Sequence, residues 1–189
     1  MRLRVATSRA WLEAVLSDFD TFMLDHALCE RKASATAMSL VSHYPDRAEL
    51  TREMVDLAVE ELEHFRMVYR RIADRGLVLP ADHKDDYVRR LRALVRRETD
   101  VFLLDRLLVS ALIEARSCER FVVVSEALPA GDTKDFYVDL ARAEARHHVL
   151  FTRLARTYHA PAIVEQRLDE MLDAEARIVE SLPVHPFVH

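Results

Sequence analysis

The chain has 189 residues, 50% hydrophobic and 31% charged, with a formal net charge of −5 and only two glycines, Gly76 and Gly131. A glycine content so far below the usual share of about 7% excludes a Rossmann fold, a P-loop or a turn-rich β-sandwich, because their tight turns and phosphate cradles need glycine. No apolar run approaches the roughly 20 residues of a membrane span, residues 1–10 lack the apolar stretch of a signal peptide, and the two cysteines, Cys29 and Cys118, make no disulfide framework, so a reducing cytoplasm is the expected location.

Chain breaks are few: Pro45, Gly76 with Pro80, the cluster 129–132, Pro161, and then Pro183 and Pro186. Between them the hydrophobic period is helical throughout, and no strand is needed. A short leading helix is predicted over 8–16, with Ser17 or Asp18 capping the next. The first long helix runs over 18–42, its inner stripe Phe19, Met23, His26, Glu30, Ala33, Ala37 and Leu40. The second runs over 46–75, with Met54, Leu57, Glu61, His64, Val68 and Ile72 inward, and Gly76 is placed to stop it. A shorter arginine-rich helix follows over 85–97. The third long helix, 99–128, turns Leu104, Leu107, Ala111, Glu114, Cys118, Phe121 and Ser125 inward. The fourth, 133–158, turns in Tyr137, Leu140, Glu144, His147, Phe151 and Leu154. A fifth amphipathic helix over 162–182 packs outside the other four.

The second and fourth long helices share a pattern. Leu57, Glu61, His64 and Val68 match Leu140, Glu144, His147 and Phe151 in spacing and type. Glu-x-x-His puts a carboxylate and an imidazole on one face, one turn apart. Each pair is preceded in the partner helix by a glutamate, Glu30 lying 31 residues before Glu61 and Glu114 lying 30 before Glu144. About fifteen residues of helix on each side of a tight turn bring such pairs to one height. A duplicated helical hairpin, and hence a four-helix bundle, is the simplest account.

A bundle centre holding Glu30, Glu61, His64, Glu114, Glu144 and His147 would bury four carboxylates. Left alone they would repel or be forced to protonate, and two divalent cations cancel their charge. Oxygen-rich ligation with two imidazoles favours iron or manganese over zinc. A second alignment exists in the third helix: the Cys-Glu-Arg strings at 29–31 and 118–120 would pair Glu119 with Glu30, whereas the spacing to Glu144 favours Glu114. The cysteines read as small core residues. His26 reads as a core histidine, and His148 points about 100° away from His147.

Charge is uneven. Residues 66–97 hold ten basic and four acidic side chains, a net +6, which leaves −11 for the remainder. Arg89, Arg90, Arg92, Arg96 and Arg97 head this stretch, with Arg66 and Arg70 as further candidates for phosphate contact.

Several longer strings carry a resemblance: Trp11-Leu-Glu-Ala, Leu24-Asp-His-Ala, Cys29-Glu-Arg-Lys-Ala-Ser, Tyr44-Pro, Glu60-Glu-Leu-Glu-His-Phe, Leu104-Asp-Arg-Leu-Leu and Ile113-Glu-Ala-Arg-Ser-Cys-Glu-Arg-Phe. They resemble the MiaE family of tRNA hydroxylases over most of the chain. The resemblance implies a single ferritin-like di-iron domain over 1–189, a four-helix bundle with flanking helices. It implies an O2-dependent monooxygenase that hydroxylates the isopentenyl group of 2-methylthio-N6-isopentenyladenosine next to the anticodon. Two iron ions, held by Glu30, Glu61, His64, Glu114, Glu144 and His147, and external electrons from a reductase are implied with it. The alternative is a ferritin-like iron-binding or peroxide-handling protein with no RNA substrate; the absence of any Cys-x-x-Cys speaks against a rubrerythrin.

Overall fold

The structure, a computed structural model, describes residues 1–189 and contains helices and connecting segments only. In chain order the helices are α1 (Arg9–Ser17), α2 (Phe19–His43), α3 (Ala48–Asp74), α4 (Asp86–Arg92), α5 (Thr99–Ala127), α6 (Asp132–Tyr158) and α7 (Pro161–Ser181). They fall into two compact units. One comprises Glu13–His83 with His185–Val188, and the other Met1–Leu12, Lys84–Val184 and His189.

The first unit is the α2–α3 hairpin. Asp18 caps α2, accepting a hydrogen bond from the Thr21 amide at 3.1 Å. Pro45 has no amide hydrogen to continue the helix, and the chain turns back. Gly76 ends α3 at φ +72, where the Gly76 amide bonds the Ala73 carbonyl and the Leu77 amide bonds the Ile72 carbonyl. This paired motif needs a residue tolerant of left-handed backbone. Ser34 donates to the Ala58 carbonyl at 2.8 Å and Arg75 to Asp20 at 2.7 Å, which fixes the antiparallel register. Ser34, not Ala33, takes the buried position at that turn, since its hydroxyl finds a backbone acceptor on α3. After Gly76 the chain returns along α2. Arg31 holds Asp82 at 2.6 Å, and Asp25 is reached by His83 at 3.0 Å and by the Val188 amide at 2.6 Å.

In the second unit α5 and α6 form the matching hairpin, with α4 and α7 packed on it. Pro161 opens α7 at the first helical position, where its missing amide hydrogen costs nothing. Two buried ionic networks hold these helices. Arg116, fully buried, meets Glu175 at 2.8 Å, and Tyr87 of α4 donates to the same carboxylate at 3.0 Å. Asp105, also fully buried, accepts from Arg96 at 2.8 Å and Arg167 at 3.0 Å.

The second network explains where the arginine-rich helix stops. The expected span of 85–97 is shortened to Asp86–Arg92 because the Arg96 amide donates to Asp105 at 2.9 Å instead of to a helical carbonyl.

Burial raises the Asp105 pKa and the hydrogen bonds from Arg96 and Arg167 outweigh it, holding the carboxyl below its ordinary 3.8. A lowered native pKa contributes stability that is complete above the ordinary value and lost as pH falls through the native one. Asp105→Asn should therefore cost about 3 kcal/mol at neutral pH and flatten the acid limb of the stability curve, as read by urea unfolding at a series of pH values.

Candidate metal centre

In the first unit, α2 supplies Glu30, and α3 supplies Glu61 and His64 from successive turns of one face. All three are buried, and each offers a ligand atom within 4.8 Å of the others. His64 Nδ1 lies 3.3 Å from Glu61 and 3.7 Å from Glu30. His26, one turn before Glu30 and fully buried, places Nε2 at 2.6 Å from the Glu30 carboxylate. The second unit repeats the arrangement with Glu114 of α5 and Glu144 and His147 of α6, again buried and within 4.8 Å of one another. His147 Nδ1 is 3.3 Å from Glu144, the same distance as in the first triad. The repeat is not complete: the position corresponding to His26 is Ser110.

Opposite charges within the first triad offset one another. Burial pushes the His64 pKa down, but the Glu30 and Glu61 carboxylates more than reverse this and raise it to about 10. Burial likewise opposes ionisation of Glu30, and hydrogen bonds from His26 and His64 win, holding it well below the usual carboxylate range. Two carboxylates and one imidazole per triad form a hard, oxygen-rich donor set that fits iron or manganese.

Of the two candidates on the third long helix, Glu114 lies with Glu144 and His147, and Glu119 does not. The Glu119 carboxylate accepts from the Thr7 amide at 2.7 Å, from the Thr7 hydroxyl, and from Arg116 at 3.1 Å. His26 is fully buried with its imidazole paired, as its reading as a core histidine expects. Its four-residue spacing places it on one helix face with Glu30. His148 turns away, its Nδ1 donating to the Ala145 carbonyl at 2.7 Å. Tyr137 packs on Phe121 and Phe136 in the core.

The arginines expected to meet phosphate divide into two groups. Arg89, Arg92 and Arg97 are exposed, Arg89 with Asp86 at 2.9 Å beside it. Arg90 donates to Ser181 at 2.7 Å, and Arg96 is committed to Asp105. Arg66 pairs with Glu63 on α3, where Arg70 is exposed. No helix is long and apolar enough to cross a membrane.

The family described as tRNA-(MS[2]IO[6]A)-hydroxylase (MiaE) matches residues 1–189. The tRNA 2-(methylsulfanyl)-N(6)-isopentenyladenosine(37) hydroxylase of Pseudomonas putida is 39% identical over 93% of this chain and 85% of its own. The hydroxylase of the same name from Salmonella typhimurium is 28% identical over 85% of this chain and 77% of its own. Among solved structures, a Synechococcus protein titled as having aldehyde deformylating oxygenase activity superposes with a TM-score of 0.95 at 33% identity, covering 100% of this chain and 96% of that one. The fold is thus all-α and ferritin-like, a four-helix bundle with flanking helices.

Two outcomes follow for the metal-free protein. Iron(II) or manganese(II) has to displace the His64 proton, so titration with either ion should release protons and binding should tighten from about pH 6 to about pH 8, measured by calorimetry in buffers of different ionisation enthalpy. Glu114→Ala should lower the metal content found by elemental analysis, and Glu119→Ala should leave it unchanged.

Proposed function

The chain belongs to the MiaE family, and on that footing we propose that it is an O2-dependent tRNA hydroxylase acting on the isopentenyl group of 2-methylthio-N6-isopentenyladenosine beside the anticodon. The observation that carries this reading is the pair of matching buried triads in a chain whose whole length fits the family. Residues 1–189 form one catalytic domain. Glu30, Glu61 and His64 hold one iron ion, and Glu114, Glu144 and His147 the other, the four carboxylates balancing two divalent charges.

When bound and reduced, the two irons supply the dioxygen activation needed to attack an unactivated C–H bond. Overall, a substrate C–H bond becomes C–OH and the second oxygen atom leaves as water. Two electrons from a reductase and two protons complete the balance. The protein's own side chains determine the setting. His26 orients Glu30 through its 2.6 Å contact. Buried apolar residues one turn from the ligands, Leu57, Val68, Leu140 and Phe151, exclude water from the carboxylates. The exposed Arg89, Arg92 and Arg97 meet tRNA phosphates, while Arg90 bonds Ser181 and Arg96 pairs with Asp105. The substrate places the protein in the cytoplasm.

The deciding experiment supplies iron-loaded protein with O2, a reductant and tRNA from cells lacking the hydroxylase, and then profiles nucleosides by mass spectrometry. Gain of one oxygen on the isopentenyl nucleoside is expected. Iron binding without any such product would leave the iron-storage or peroxide-handling alternative. Glu61→Ala and His147→Ala should each lose iron and product while far-UV circular dichroism stays helical. Replacing Arg89, Arg92 and Arg97 together by glutamine should weaken tRNA binding and reduce its salt slope by roughly 2 to 3 units, with iron content unchanged.

A further inference from the structure

A cavity of about 410 Å³ lies within the second unit, between the N-terminal segment and the α5–α6 hairpin. Its volume falls in the range of small-ligand pockets, about 300 to 1,000 Å³. One wall is Ala115 and Cys118 of α5, the first adjoining Glu114 and the second one turn beyond it. Another is His148 of α6, adjoining His147. Leu3 and the exposed Arg2 line the cavity from the N-terminal segment.

The N-terminal segment is fastened, since the Val5 carbonyl accepts from Arg116 at 3.0 Å and the Thr7 amide donates to Glu119 at 2.7 Å. The cavity is therefore a built feature of this unit.

Its charged and polar lining is Arg2, Arg4, Glu119 and His148. His148 Nδ1 bonds a carbonyl at 2.7 Å, so that nitrogen carries the hydrogen. With that hydrogen on Nδ1, Nε2 is left as an acceptor in the cavity wall, 3.4 Å from the Met1 nitrogen. An N6-alkylated adenine offers the complement: one N6–H donor, a branched apolar chain, and flanking phosphates that suit Arg2.

We infer that this cavity receives the target nucleobase, with the N6–H donating to His148 Nε2 in place of the Met1 nitrogen and the prenyl chain running past Ala115 and Cys118 toward Glu114, Glu144 and His147. The inference rests on the hydroxylase reading and adds a position and a specificity contact to it.

The test uses two anticodon stem–loop RNAs. One carries 2-methylthio-N6-isopentenyladenosine, and the other is identical except that a methyl group replaces the N6 hydrogen. Iron-loaded wild-type protein should bind the first about tenfold more tightly, the size of one hydrogen bond. His148→Leu should lose that tenfold on the first RNA and bind both alike. Leu3→Trp fills the cavity from the side away from the ligand helices; it should weaken binding of the first RNA at least about tenfold with iron content and helicity unchanged.

A His148→Leu protein that keeps the wild-type preference, or a Leu3→Trp protein that binds with wild-type affinity, would overturn the assignment. If His148→Leu loses iron or fails to fold, Leu3→Trp decides alone. Failure of the hydroxylase reading is read separately, as absence of hydroxylated product from wild-type protein that binds iron.

Discussion

Carboxylates buried in apolar helices are the constraint on which the rest of this structure depends. Glu30, Glu61, Glu114 and Glu144 are each at most 7% exposed, and ionised groups at such depth are tolerated only with a partner close by. Each has an imidazole within its own unit, at one turn's spacing or across the hairpin. The lengths of the main helices follow. A carboxylate can be hidden at mid-height only if apolar turns extend above and below it, and α2, α3, α5 and α6 run for 25, 27, 29 and 27 residues. The register of each hairpin is set by the same need, because Glu30 must stand level with Glu61 and Glu114 with Glu144.

The two triads share a donor set but differ in their surroundings. Glu30 has His26 at 2.6 Å; Glu114 has Ser110 at the equivalent place in sequence. A duplicated hairpin has thus kept its metal-binding pattern while its supporting residues diverged. The N-terminal segment, the short α4 and the arginines around it lie outside both triads.

Much of this was legible in the amino-acid order, for a physical reason. Helical period, proline and glycine breaks and the repeated Glu-x-x-His are local, and the expected helix ends agree with the observed ones to within a few residues for all but the arginine-rich segment. That exception is nonlocal in origin, because the Arg96 amide is captured by a side chain on the next helix. Glu119 is likewise met by Thr7, 112 residues away in the chain, while Glu114 lies with Glu144 and His147. Buried Arg116 with Glu175, 59 residues apart, left no periodic trace, since a charged residue on a predicted helix reads as a solvated one until its partner is known. Spacing shows which residues share a face. It does not show which distant group will meet them.

The bond from the Val188 amide to Asp25 spans 163 residues, and Val188 is fully buried. The α2–α3 unit is therefore discontinuous: its last piece, His185–Val188, is synthesised after α4–α7. The hairpin bearing Glu30, Glu61 and His64 precedes it, and the bond to Asp25 forms only once Val188 has followed. Hydrogen exchange at the Val188 amide therefore distinguishes a chain that has merely formed helices from one in which residues 185–188 have docked at Asp25.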